Sequence, residues 1–308
     1  MIIRNLPLIL LAAAATLSAD LVQDVRSAIA KGDFTGGEKL IADQTRAAGG
    51  KQTPETILAL SWLGRGSQAA KKWDQAERYA VATRKLVNAE LQKRKLDAEP
   101  MLPLALGASI EVMGHTLAGR GQRIEAVALL QKEVKTWYST SIRTRIQKNL
   151  HLLSLEGKPA PAIETGAALG GKAAPPLAKL KGQPLILFFW AHWCSDCKAQ
   201  QPVLSRLQQE FGAKGLTIVG PTQRYGYIAA GEDATPAQET PYIDRIRREF
   251  YGDLKMSVPV SEENFRAYGS STTPTLVLVD RAGIVQLYHP GRMSYEELQP
   301  LVAKLVGP

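Results

Sequence analysis

The chain of 308 residues contains two cysteines, Cys194 and Cys197, in the run Ala191-His192-Trp193-Cys194-Ser195-Asp196-Cys197-Lys198. A two-residue spacer keeps the sulfurs within bonding reach, so the pair is suited to cycle between dithiol and disulfide. Other cysteine chemistry fits less well. Covalent haem attachment needs a histidine after the second cysteine, where Lys198 stands, and a structural zinc needs four ligands, whereas only His192 is near in sequence. A peroxide-reducing cysteine ordinarily follows a threonine by three positions, and Ala191 is there instead. A static surface disulfide without turnover is the remaining alternative. Against it stand the neighbouring Trp193 and the elements on either side of the pair. No metal or organic cofactor is expected.

Those elements read directly from the pattern. Leu185 to Trp190 (LILFFW) is a continuous apolar run short enough for a buried strand. The stretch after it has helical periodicity, with Leu204, Leu207 and Phe211 on one face and Pro202 a kink one turn in. Cys194 therefore sits where a strand hands over to a helix N-terminus, whose free amides and positive dipole end favour a thiolate on the first cysteine. Cys197 is placed to resolve a mixed disulfide. Further strands are expected at Leu216–Gly220, Val258–Val260, Thr275–Asp280 and Ile284–Tyr288, and a closing helix at Ser294–Val306. The region from about 221 to 255 reads as an insertion. It is taken as a loop from Arg224 to Pro236, followed by a basic amphipathic helix from Tyr242 to Phe250.

GKPAP at 157–161, LAKLKGQPLILFFWAHWC at 177–194 and TPTLVLVDRAG at 273–283 resemble the TlpA/ResA-like thioredoxin-fold proteins of bacterial envelopes. The resemblance covers residues 157–308. It implies an α/β thioredoxin fold, Cys194 as the attacking and Cys197 as the resolving cysteine, and Trp193 as a flanking platform. It also implies a cis-proline at Pro274, with Thr273 pairing to substrate as an added strand. Two departures bear on proton handling: Phe188 and Gln200 occupy the positions at which related proteins carry acids. Asp196 is then the nearest carboxylate in sequence, and its charge opposes thiolate formation at Cys194. His192 when protonated would act oppositely. For both residues a solvated loop position is as good a reading as a functional one. His115, His151 and His289 have no clustered partners and are read as ordinary residues.

The first half is of another kind. From Leu21 to about Leu155 apolar residues recur at three- and four-residue steps, which marks amphipathic helices. Leu63-Gly64, Ala76 and Tyr79-Ala80 realign at an offset of 50 with Met113-Gly114, Ala126 and Leu129-Leu130, and a weaker copy begins at Gly32. This resembles a degenerate tetratricopeptide array, which would offer a concave surface to a protein partner. The unequal offsets leave a plain helical bundle as the alternative. Trp62, Trp73, Tyr79 and Trp137 are assigned to its core.

With 45% hydrophobic and 22% charged residues the chain suits folded globular material. The formal net charge of +9 is uneven, with 21 Lys/Arg against 15 Asp/Glu over 20–157 and 16 against 14 over 158–308. No run of five like charges occurs, so nucleic acid is not an expected partner. Arg4, an apolar stretch from Leu6 to Leu17 and small residues before Asp20 resemble a secretory signal peptide. The expected organisation is a signal peptide at 1–19, a helical domain at 20–156 and a thioredoxin-like domain at 157–308, each of the latter two with its own core. No segment beyond the leader is expected to span a bilayer, so membrane attachment would require an uncleaved leader. The expected function is an exported, periplasmic thiol-disulfide oxidoreductase acting on protein thiols and served by an envelope redox partner. The alternative is a redox-sensitive interaction module in which the helical half recruits a partner without turnover.

Overall fold

A computed structural model describes residues 21–170 and 175–307 of the chain. The expected signal segment at 1–19 lies outside the described residues. The first half consists of helices α1 (Leu21–Ala30), α2 (Phe34–Ala47), α3 (Pro54–Ala69), α4 (Trp73–Leu91), α5 (Met101–Gly119), α6 (Arg123–Thr136) and α7 (Arg143–Ser154). They pack as successive hairpins, and the residues behind the sequence repeat explain the close approach. Gly64 on α3 lies against Tyr79 of α4, Gly114 on α5 against Leu130 of α6, and Ala76 and Ala126 are both fully buried.

Helix α5 corrects one expectation, since by length and composition it is apolar enough to cross a membrane. The physical reason for that composition is its central place. α3, α4, α6 and α7 all pack against it, and Leu102, Ala105, Leu106 and Ile110 are buried, so little of its surface is left for polar residues.

The second half is built on a mixed sheet with strands β1 (Ala168–Leu169), β2 (Leu185–Phe189), β3 (Thr217–Val219), β4 (Met256–Pro259), β5 (Thr275–Val279) and β6 (Val285–Pro290). Their spatial order is β1-β4-β3-β2-β5-β6, with β2, β3 and β4 parallel and β1, β5 and β6 antiparallel to their neighbours. The helices are α8 (Ser195–Phe211), α9 (Pro236–Tyr251), α10 (Glu262–Tyr268) and α11 (Tyr295–Val306). This is the α/β fold that the resemblance implies.

β2 is apolar throughout because both its faces are covered. Ile186 and Phe188 join the layer under α8, α9 and α11, while Leu187 and Phe189 join the opposite layer with Phe265 and Tyr268 of α10. The basic helix expected at Tyr242–Phe250 is longer, starting at Pro236 with Thr235 as its cap.

The two halves touch one another. Leu155, next after α7, is buried in the layer that holds Phe265 and Tyr268. The Arg143 guanidinium meets Glu263 at 2.9 Å, and His151 Nε2–H donates to the Ala267 carbonyl at 2.8 Å. Gly269, at φ +62°, sits so close to α7 that a Cβ there would lie 2.3 Å from the Lys148 backbone nitrogen. Only glycine suits both that backbone conformation and that approach.

Candidate active site

Strand β2 delivers the chain into a turn that two hydrogen bonds hold. The Trp190 indole N–H donates to the Gly220 carbonyl at 3.0 Å, and the Thr222 hydroxyl donates to the Trp190 carbonyl at 2.9 Å. The chain then reaches Cys194, which is the N-cap of α8, with extended backbone at φ −78° and ψ 108°. Its Sγ accepts the Cys197 amide N–H at 3.0 Å, taking the place of a capping oxygen. Cys194 and Cys197 are joined as a disulfide, with the first sulfur's residue 3% exposed and the second's fully buried. Beside them Trp193 is half exposed, its ring edge-on to Tyr225 at 5.5 Å.

Thr275 pairs with Phe189, so the Thr273-Pro274 turn leaves the sheet at the end where β2 hands over to α8. The Thr273–Pro274 peptide is cis. Trp193 and Thr273 line one cavity of about 190 Å3, together with Tyr225, Ser270 and, from the helical half, Thr144. Trp193 and Thr273 are thus brought together at a single opening, and α7 forms part of its wall.

The residues that displaced the expected acids do other work. Phe188 packs edge-on to Tyr251 at 5.8 Å. Gln200, 1% exposed, donates from Nε2 to the Met293 carbonyl at 3.0 Å and accepts the Met293 amide at 2.9 Å, tying α8 to the turn before α11. Asp196 is exposed and faces Arg292 at 3.5 Å.

His192 is no solvated loop residue. It is 2% exposed, and its ring meets those of Tyr225, Tyr227 and Tyr242 edge-on at 5.3 to 5.6 Å. Its Nε2 lies 3.5 Å from Glu239 on α9, without a hydrogen bond. Burial pushes the imidazole pKa down, the Glu239 charge opposes that fall, and Lys198 adds to it.

Glu239 was not legible as a site residue. It is 1% exposed and accepts the backbone N–H groups of Tyr225 at 2.5 Å and Gly226 at 2.9 Å, one on each carboxylate oxygen. The insertion read from sequence as a loop and a solvated helix therefore packs three aromatic rings and a buried carboxylate against the turn that carries the cysteines. The one available signal was a glutamate one turn into a helix that begins Thr235-Pro236, and nothing in the sequence joins it to His192. His115 and His151 also have partners: His115 contacts Asn149 Oδ1 at 2.8 Å, and His151 lies at the contact between the halves.

Residues 172–305 match the family described as a thioredoxin-like domain. The chain is 28% identical over 145 residues to the thioredoxin-like protein YneN of Bacillus subtilis, a match covering 47% of this chain and 76% of that protein. It is 27% identical over 151 residues to the thiol-disulfide oxidoreductase ResA of Bacillus thuringiensis, covering 48% and 78%. Among solved structures, the thioredoxin domain of a thiol-disulfide oxidoreductase from Bacteroides vulgatus aligns with 24% identity and a TM-score of 0.39, covering 49% of this chain and 98% of that one. The second half of the chain has the thioredoxin-like fold and resembles proteins named thiol-disulfide oxidoreductases, and these matches cover about half of the chain.

Proposed function

We propose that the protein is an exported thiol-disulfide oxidoreductase whose Cys194 and Cys197 exchange disulfides with protein thiols. In the reducing direction the Cys194 thiolate attacks one sulfur of a substrate disulfide and the other sulfur leaves as a thiolate, which takes up a proton. Cys197, having lost its own proton, then attacks Cys194 Sγ in the mixed disulfide. The second substrate thiolate leaves and the Cys194–Cys197 disulfide remains, so the substrate gains the two electrons that the dithiol loses. Oxidation runs the same steps in reverse, and an envelope redox partner of the opposite poise resets the pair. Trp193, Thr273 and Pro274 form the substrate platform in this reading. The signal-like segment at 1–19 supports export, and the paired helices of the first half support a tetratricopeptide-like scaffold for protein contact.

The observation that carries this reading is the position of Cys194 as the cap of α8, its sulfur on the Cys197 amide and its neighbour Trp193 open to solvent. A helix N-terminus stabilises an anion at that point. The division of labour is testable. Cys197→Ser should accumulate mixed disulfides through Cys194, visible on non-reducing gels and by mass spectrometry, and Cys194→Ser should accumulate none. Equal trapping by both variants would refute the assignment.

A further inference from the structure

Helices α1, α3, α5 and α7 pack in a row, each against the next, and their side chains carry a cationic strip. At its centre is Glu111 on α5, largely buried, which meets Arg65 of α3 at 3.6 Å and Arg145 of α7 at 3.0 Å. Burial pushes this carboxylate's pKa up, but Arg145, Lys148 and Arg65 outweigh it and hold the group below its ordinary range. Three cations thus surround one carboxylate, and Lys148 makes no ion pair among the described residues. Burial, opposed by Glu111 and aided by Arg145 and Arg65, lowers the Lys148 pKa. A surplus of unneutralised positive charge, partly withdrawn from water, is costly for a fold to keep and is relieved by an incoming anion. Further along the row, Arg26 and Arg65 stack on the two-sided ring of Trp62 at 4.5 and 4.3 Å. Trp62, like Trp137, is partly buried and packs against the core of this half.

The strip leads to the cavity lined by Trp193, the residue before Cys194. Thr144 precedes Lys148 by four residues on α7, so the two share a side of the helix, with Arg145 beside them. Thr144 is also the helical half's contribution to the cavity that Trp193 and Thr273 line, whose one carboxylate, Glu262, is paired with Arg266 of the same lining. In that cavity the Ser270 hydroxyl, on a residue 4% exposed, and the Thr273 hydroxyl have no hydrogen-bond partner among the described residues. Buried polar groups without partners at an opening beside a reactive pair await the groups of a ligand.

We infer that the cavity and the cationic strip form one binding track for an acidic segment of the protein substrate, the stretch adjoining the cysteine that exchanges with Cys194. The assignment rests on the exchange reaction proposed above and adds to it the substrate's charge. It also gives the helical half a part in recognition. The backbone beside the reacting cysteine lies at Thr273 and Ser270, and acidic side chains a few residues away reach Lys148, Arg145 and Arg65.

Two measurements on the full-length protein separate the track from the chemistry. A fluorescent glutamate-rich peptide without cysteine, followed by anisotropy, reads the track alone. It should bind at least about tenfold more tightly than its lysine-rich counterpart at low ionic strength, and the preference should shrink as salt is raised to about 0.5 M. Lys148→Gln and Arg65→Gln should each reduce that preference, and Lys148→Arg should retain it. The second measurement is the rate of exchange between reduced protein and disulfide-bridged peptides flanked by Glu, Gln or Lys. The glutamate-flanked peptide should react fastest, with the same salt dependence. Equal binding of acidic and basic peptides, or a preference indifferent to salt, would overturn the track while leaving the exchange reaction standing. Charge-selective binding with no exchange towards any disulfide, a small aromatic disulfide included, would instead remove the exchange reaction and keep the binding surface.

Discussion

The two flanks of the dithiol each carry a basic side chain beside a carboxylate, at equal separation and in opposite settings. On one side His192 and Glu239 stand 3.5 Å apart with side chains 1% exposed, and on the other Asp196 and Arg292 stand 3.5 Å apart with side chains 63% and 53% exposed. Distance therefore says nothing about which pair matters. Exposed charges are screened by water and salt and their side chains lose entropy when held, so such pairs contribute little. Buried ones have lost their hydration, and what replaces it decides the outcome. On the buried side the replacement is two backbone N–H groups, which fix the 225–226 turn to α9 and so hold Tyr225 against both His192 and Trp193.

The largest expected effect comes from removing that anchor. Glu239→Ala leaves the Tyr225 and Gly226 amides without an acceptor inside the protein. An orphaned buried donor costs about 1 to 3 kcal/mol, so the sheet half should lose about 2 to 4 kcal/mol in urea unfolding followed by tryptophan fluorescence. Exchange with peptide disulfides should slow as well, because Tyr225 lines the cavity that Trp193 and Thr273 share. Glu239→Gln keeps one acceptor and should fall between the variant and the parent. An unfolding midpoint unchanged in Glu239→Ala would put the two flanks on the same footing.

Acid provides the next test. His192 and His151 both have pKa values lowered from the ordinary 6.5, chiefly by burial, with Glu239 opposing the shift at His192 and the Ala267 carbonyl opposing it at His151. Each imidazole thus binds its proton more weakly in the folded state than in the unfolded chain. The unfolded state then carries more protons at every pH between the lowered value and 6.5, so stability rises with pH across that window. It is fully present above about 6.5 and is lost as the pH falls towards the lowered value. The urea midpoint should be lower at pH 5.5 than at pH 7.5, and His192→Asn should flatten part of the difference. A parent midpoint equal at both values would break this part of the contrast.

The same contrast separates what the chain reveals in one dimension from what it does not. The strand LILFFW, the helix behind Cys194 and the Thr-Pro turn are legible because each is a contiguous pattern whose meaning depends on its immediate neighbours. β2 is buried on both faces as its unbroken apolar run requires, and Cys194 caps α8 where strand gives way to helix. Glu239 lies 47 positions after His192, and its role depends on a turn at 225–226 that folds back upon α9. Its letters are those of a solvated amphipathic helix, so local pattern points the wrong way. The contact of α7 with α10 escapes for a related reason. Pro and Gly near Lys158 announce a boundary in the chain, but Gly269 and Leu155, which close the halves together, look like an ordinary helix terminus and an ordinary apolar residue. In the helical half, Gly64 and Gly114 betray the repeat by spacing alone, whereas Lys148 and Arg65 reveal a common strip only when the odd-numbered helices lie side by side.

The smallest effect is expected on the exposed flank, where two influences of Asp196 oppose each other. Its charge stands in the first turn of α8, which a helix dipole favours, and it faces Arg292; both stabilise the folded chain by amounts that solvent reduces to about 0.5 kcal/mol or less. The same charge lies two residues from Cys194 and opposes the thiolate that the helix N-terminus promotes. Asp196→Asn therefore removes a slight stabilisation and a slight repulsion together. Reduced protein should be alkylated at Cys194 faster by a factor of about three or less at low ionic strength, with the difference vanishing in salt near the physiological range. The unfolding midpoint should stay within the spread of surface substitutions. Removing the Arg292 charge as well takes a cation from this flank, so the double variant Asp196→Asn, Arg292→Gln should react more slowly than Asp196→Asn alone. A change on this flank as large as that of Glu239→Ala would mean that burial does not separate the two pairs, and the comparison on which both predictions rest would fail.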